Sequence, residues 1–354
     1  MTRVAVFLAS VFVVLGGVAG LDWWMDPFFD RYDGAPLAAA LAQPKPCFMA
    51  WDTFSARAWP DLKLDLFRRR NARVVVVGTS RTGKIEAHPG EQGFANLMIP
   101  GTGPETLAPL FRRLHQEGHG RLTVYLAVEP FWFGAGWRTG ISFTHSYLRS
   151  ARYWLSTETL HAVYEELRRG PGLIRHPGAL RPWAIYHGRG VCVVSRGNEV
   201  LGGAIHAWAP DGGLWYNDEV TGAHAPPGRP LVELLYGSFV GTRLDPGRRE
   251  ALEDALQAAR GYGWRVVGVS LPFSTYWRLK LEREPATSGV IGAFLREMPG
   301  IFRRNGFRFL DLTDVRRVPC GEHEFSHEDG GHADVACGRR IRRLLDGAVA
   351  AGPS

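Results

Sequence analysis

The chain has 354 residues, of which 45% are hydrophobic, 12% aromatic and 22% charged, a balance that supports a sizeable buried core and excludes disordered and fibrous classes. Lys+Arg 42 against Asp+Glu 35 gives a formal net charge of +7. Only Lys45, Lys63, Lys84 and Lys280 are lysines, and the longest basic run is Arg68, Arg69, Arg70, so the excess is spread over arginines and argues against a nucleic-acid arm or polybasic tail.

Residues 4–21 (VAVFLASVFVVLGGVAGL) form an apolar stretch broken only by Ser10, with Arg3 before it and Asp22, Trp23, Trp24 and Asp26 after it. This is the charge and aromatic pattern of a membrane segment entering with its N-terminus inside. Residues 1–24 are therefore expected to be an uncleaved anchor; the Val18, Ala19, Gly20 triplet keeps a cleaved signal peptide as the alternative. Either way the remainder is expected outside the cytoplasm. The four cysteines, Cys47, Cys192, Cys320 and Cys337, fit an oxidising compartment. Cys320 with Cys337 is the preferred bridge, because it would close the most polar loop of the chain; four unpaired buried thiols is the other reading.

Residues 25–60, rich in Pro, Asp and aromatics, read as a stalk and lead-in, followed by a helix over 59–70. Residues 73–77 (RVVVV) are a β-branched run ending at Gly78, the pattern of a strand buried on both faces of a parallel sheet. Further runs fall at 94–99, 121–128, 265–270 and 307–312. Between them, Thr102 and Glu105 have capping-box spacing and open a helix to about Gln116, closed by Gly118. A second helix is predicted over 245–260 and a last one over 333–345. Strands alternating with helices predict a three-layer α/β domain over 61–350 with a parallel sheet of about five strands. Residues 131–244 break the alternation, with two helices predicted at 144–155 and 157–169 and hairpin-like stretches at 191–196 and 214–217. They read as an insertion between the third and fourth strands, with a separate domain as the alternative.

Two chemistries compete for Gly78-Thr79-Ser80-Arg81-Thr82-Gly83-Lys84. The segment satisfies the spacing of a phosphate-cradling loop, but Ile85 stands where the magnesium-binding Ser or Thr belongs. Alternatively, Ser80 lies two residues past a buried strand and so faces the crevice at the carboxyl edge of the sheet. A nucleophilic Ser80 needs a base and an orienting carboxylate. Asp329 and His332, three apart before the last helix, supply that pair. The cluster Cys320, His323, His327, His332 and Cys337 lacks the intervals of a zinc finger, and a disulfide accounts for both cysteines. Trp132, Phe133, Trp137, Tyr153 and Trp154 form either a sugar-stacking platform or core.

Gly78-Thr79-Ser80, the Gly101 region and Asp329-x-x-His332 resemble blocks I, II and V of the SGNH (GDSL-like) hydrolase superfamily, in that order. The N-terminal anchor, the G-T-S variant and Glu129-Pro-Phe-Trp-Phe133 are similar to its membrane-anchored branch, which includes the teichoic acid D-alanyl transfer protein and the alginate O-acetylation proteins. The likeness spans about residues 70–130 and 245–345 through short motifs. It implies an SGNH/flavodoxin-like sheet, Ser80 as nucleophile, His332 as base and Asp329 as its orienter. It also implies an oxyanion hole from the amides of Ser80 and Gly101, with Gly103 as the fallback. Arg81, Glu129 and Trp132 are candidate substrate contacts. The block III Asn is missing, with Glu129 or Pro130 in its place. The expected function is O-acyl transfer or ester hydrolysis on a cell-envelope polysaccharide without metal or organic cofactor, with an acyl donor or membrane acyltransferase as partner and no nucleic acid. A catalytically inactive assembly or polysaccharide-binding protein is the alternative.

Overall fold

The structure is a computed structural model that describes residues 2–25, 38–39, 41, 49–50, 59–117, 120–139, 155, 160–161, 163–164, 206–208, 211, 214–216, 237–318, 320–325 and 331–351. Helix α1 (Thr2–Met25) contains the apolar run and is long and apolar enough to cross a membrane. That length and composition suit an anchor and a signal sequence equally.

After the short strand β1 (Met49–Ala50) comes α2 (Trp59–Arg69), which has Asp61 in its first turn and Arg68 and Arg69 in its last, as the helix dipole favours. The valine run is β2 (Val74–Val77), followed by β3 (Phe94–Asn96). Helix α3 (Pro104–Gln116) starts at Pro104 with Gly103 as its cap. Thr102 is therefore not the capping residue the spacing suggested. Glu105 turns away from the helix start to accept from Thr139 and Arg248, so no capping box closes, and Pro104 preorganises the first turn instead. Gly118, expected to end this helix, lies outside the described residues.

Strand β4 (Thr123–Ala127) completes the first half of the domain. Strands β5 (His206–Trp208) and β6 (Leu214–Tyr216) belong to the insertion. Helix α4 (Pro246–Gly261) is capped by Asp245, whose side chain accepts from Arg248 N. Next come β7 (Arg265–Ser270), α5 (Thr275–Arg283), α6 (Pro285–Arg304), β8 (Arg308–Asp311) and α7 (Val335–Ala350). The sequence reading assigned nothing to α5 and α6. Pro285 and Pro299 interrupt the pattern there, although Pro285 occupies the first helical turn and the chain continues through Pro299.

The main sheet is parallel throughout, in the order β3-β2-β4-β7-β8. This is the five-stranded α/β arrangement the alternation predicted, with the insertion between the third and fourth strands. Side chains alternate across it as a strand requires. Val75, Val77, Val124, Leu126 and Val266 pack with Phe67, Leu107, Phe111, Leu252, Phe294 and Phe302 on one face. Val76, Tyr125, Val267 and Val269 pack with Ile341 and Leu345 of α7 on the other. The chain leaves β2 for β3 on one side and returns to β4 on the other, so the crossover point lies between β2 and β4. Ligands of such sheets bind at the carboxyl ends of these strands.

A second sheet, β1-β5-β6, is antiparallel. Pairing of Met49 with Trp208 joins the lead-in to the insertion, so this part of residues 25–60 is not a free stalk. Between β5 and β6, Asp211 docks on the main sheet. Its carbonyl accepts from Asn96 N at 2.8 Å and its carboxylate from Ala87 N at 3.0 Å. The helices expected at 144–155 and 157–169 and the stretch at 191–196 lie largely or wholly outside the described residues.

Candidate active site

At the end of β2 the chain turns into a 3-10 helix, Ser80–Lys84, with Thr79 as its cap. Thr82 fastens this turn by donating from N and from Oγ1 to Thr79 O, at 3.0 and 2.8 Å. Asn96, at the end of the neighbouring strand, closes it from the side: Nδ2 donates to Thr82 O and Ile85 O at 2.8 and 3.1 Å, and Oδ1 accepts from Met98 N at 2.9 Å. Both donors of one buried amide are thus spent on the loop that carries Ser80, while its oxygen holds the chain just past β3. The sequence reading missed Asn96. Its signal was a lone polar residue inside the apolar run 94–99.

His332 arrives from the opposite end of the sequence. The loop before α7 is drawn together by the Cys320–Cys337 disulfide, with Cα atoms 5.2 Å apart. A bridge between Phe325 and Ala333, a hydrogen bond from Asp334 N to Glu324 O at 2.6 Å and the Glu324–Arg340 ion pair at 2.6 Å complete the frame. Helix α7 then approaches the Ser80 turn so closely that a Cβ on Gly338 would fall 2.0 Å from Lys84 O. With both ends held, His332 Nε2 lies 2.8 Å from Ser80 Oγ. Both residues are partly exposed, so the pair is open to a reactant. This distance is the one a nucleophile and its base require. Asp329, the expected orienter, and His327 lie outside the described residues. Cys47 and Cys192 do so as well.

Ser80 and Gly101, proposed for the oxyanion hole, both follow the carboxyl ends of adjacent strands. Gly101 sits in a tight turn closed by Thr102 N to Ile99 O at 3.2 Å, and its φ of +74° with Pro100 before it is the geometry in which glycine is favoured. Neither amide donates a hydrogen bond within the described residues. Gly103, the fallback, is the cap of α3 instead.

The three candidate substrate contacts are corrected by burial. Trp132 is 0% exposed and packs in the main core; Phe133 and Trp137 join it there. No face of these rings is left for a sugar, and Tyr153 and Trp154 lie outside the described residues. Arg81 is 5% exposed and Glu129 0%. Arg81 Nη1 and Glu129 Oε2 form an ion pair beneath the Ser80 turn. Burial pushes the Glu129 carboxyl above its ordinary value, opposed by Arg81 and by the charge of His332. Its second oxygen, Oε1, has no hydrogen-bond partner among the described residues.

Lys84, which would reach phosphates in a nucleotide-binding loop, is buried, and the turn it ends is five residues of 3-10 helix. No long helix begins there to face phosphates with its N-terminus. In the His/Cys cluster, Cys320 and Cys337 are bonded to each other and His332 to Ser80. Comparison with family models, with curated proteins and with solved structures finds no match for this chain.

Proposed function

We propose that this protein is a serine-dependent acyl-ester enzyme of the SGNH type, acting outside the cytoplasm on O-acyl groups of a cell-envelope polysaccharide. The observation that carries the reading is the 2.8 Å contact between Ser80 Oγ and His332 Nε2 at the carboxyl edge of a parallel sheet. Ser80 Oγ attacks the acyl carbonyl carbon while His332 Nε2 takes its proton. The amides of Ser80 and Gly101 hold the oxyanion. Collapse expels the leaving oxygen, which takes the proton from His332 and leaves an acyl-Ser80. A sugar hydroxyl or water then attacks, with His332 again as base, and restores Ser80. The orienting carboxylate in this reading is Asp329, on the D-x-x-H spacing alone. The apolar α1 and the Cys320–Cys337 disulfide support an exported, anchored location, and a membrane acyl carrier is the matching partner.

One observation favours a second reading, a non-catalytic binding protein on the same fold. Glu129 stands where a block III Asn would donate to the oxyanion, and it is buried and committed to Arg81. Loss of one oxyanion donor costs about 10² to 10³ in rate. The two readings separate on labelling of the full chain with a serine-directed fluorophosphonate. Acyl chemistry requires that wild type be labelled and that Ser80→Ala and His332→Ala, both folded, not be. A folded, unlabelled wild type that still binds the polysaccharide establishes the second reading. Release of acetyl to water or to an oligosaccharide then separates hydrolysis from transfer.

A further inference from the structure

We propose that Arg81 is a positioning residue that sets the Ser80–His332 alignment from below, with Glu129 as its buried counter-charge. The inference rests on the reading of Ser80 as nucleophile and His332 as base.

Arg81 follows Ser80 directly, yet its side chain points away from solvent and spans the floor of the site. Its Nε donates to Gly331 O at 2.8 Å, the carbonyl immediately before His332. Nη2 donates to Leu271 O at 3.2 Å and Pro272 O at 2.5 Å, in the segment that follows β7. Nη1 pairs with Glu129, which follows β4. The guanidinium carbon lies 3.8 Å from the centre of the Phe273 ring. One planar group thus fixes four backbone segments relative to each other: the nucleophile turn, the base's approach and the ends of β4 and β7.

Only arginine has this fork of donors. A lysine at the same position keeps the charge opposite Glu129 but has one point of attachment. Removing two charges from water is costly, and apolar residues of similar volume often stabilise a fold as well or better. Stability alone therefore does not call for an ion pair here. The geometry that the fork imposes on residue 331 does, because a displacement of about 1 Å at a catalytic pair costs about a hundredfold in rate.

The test uses the full chain in detergent with ¹⁵N-labelled histidine. The ring resonances of His332 are assigned by their loss in His332→Gln, and the contribution of the serine contact is read from Ser80→Ala. Two variants are compared, Arg81→Lys, which retains the counter-charge, and Arg81→Met with Glu129→Leu, which removes both charges together. In either variant the His332 Nε2 resonance is expected to move toward its Ser80→Ala position and fluorophosphonate labelling to fall roughly ten- to a hundredfold, with the unfolding transition still cooperative. A wild-type His332 resonance and wild-type labelling in either variant overturn the proposal. If the wild type is not labelled but the His332 resonance still responds to Arg81→Lys, the acyl-ester reading fails while the positioning role stands.

Discussion

Ser80, His332 and the groups that hold them show how few atoms set a site. Asn96 gives both donors of its side-chain amide to the Ser80 turn and its oxygen to Met98 N. Asn96→Leu leaves Thr82 O and Ile85 O without a side-chain donor in a buried place, which is expected to cost about 1–3 kcal/mol; chemical denaturation measures it, and an unchanged midpoint would refute the assignment. Gly338 is fixed by contact more than by its dihedral angles. A Cβ there meets the Lys84 carbonyl at 2.0 Å, so Gly338→Val must push α7 off the turn. The expected result is a loss of about 1–3 kcal/mol together with weakened labelling of Ser80, since His332 moves with the helix.

Asp346 gives the pH dependence at this scale. Burial alone would raise its pKa, but hydrogen bonds from Tyr125, His88 and Arg342 hold it below the ordinary value of 3.8. A carboxylate depressed in the folded state stabilises fully above its unfolded pKa, and that stabilisation is lost as the pH falls through the folded value. The melting temperature is therefore expected to drop as the pH goes below about 3.8, and Asp346→Asn to flatten that part of the profile while lowering stability at neutral pH.

Among the elements, the segment from Cys320 to α7 matters most, because it brings His332 to Ser80. The disulfide closes a loop with a sequence separation of 17, for which chain-entropy arithmetic gives about 3 kcal/mol. Cys320→Ser with Cys337→Ser is expected to lose that much in reversible unfolding and to slow labelling, since the loop that bears His332 gains freedom. Labelling at the wild-type rate after reduction would show that the bridge serves the fold alone. Arg248 has a similar part at the start of the insertion. From the first turn of α4 it donates to the carbonyls of Trp132, Gly134 and Trp137. A capping turn thereby also pins the 3-10 segment Pro130–Phe133 that follows Glu129.

For the whole molecule, the insertion is bound to the main sheet by Asp211 and by the packing of β6 against the Ser80 turn. Lys63, fully buried in α2, donates to Asn96 O at 3.1 Å, and its charge is supported by Asp211, although burial holds its pKa well below 10.5. Asp211→Ala removes that support and leaves a buried amine, an arrangement that typically costs about 3–5 kcal/mol. Limited proteolysis is expected to show faster cutting between residues 140 and 236, and Lys63→Met in the same chain to restore part of the stability. An unaltered digestion pattern would mean that Asp211 does not anchor the insertion. Helix α1 is separable on the same scale. Removal of residues 1–25 is expected to release the rest from the membrane fraction, and the mass of the mature N-terminus distinguishes anchor from cleaved signal.

The valine run, the spacing of the other strands and the Ser80 and His332 motifs were legible in the sequence because each is local: β-branched continuity marks a buried strand, and a serine just past such a strand is placed at the sheet's carboxyl edge whatever else the chain does. The apolar N-terminus and the cysteine that partners Cys337 were legible for the same reason. Arg81, Glu129 and Trp132 were misread as substrate contacts because burial is not local. Which groups face a cleft and which lie under it depends on segments some 50 to 250 residues apart meeting at Arg81, and its bonds to Glu129, Leu271 and Gly331 span 48, 190 and 250 positions. Local pattern is enough to mark the strands and to put a serine at the sheet edge. That Ser80 meets His332, with an ion pair beneath them, follows from the sheet order and from the close approach of α7 at Gly338, which no local pattern encodes.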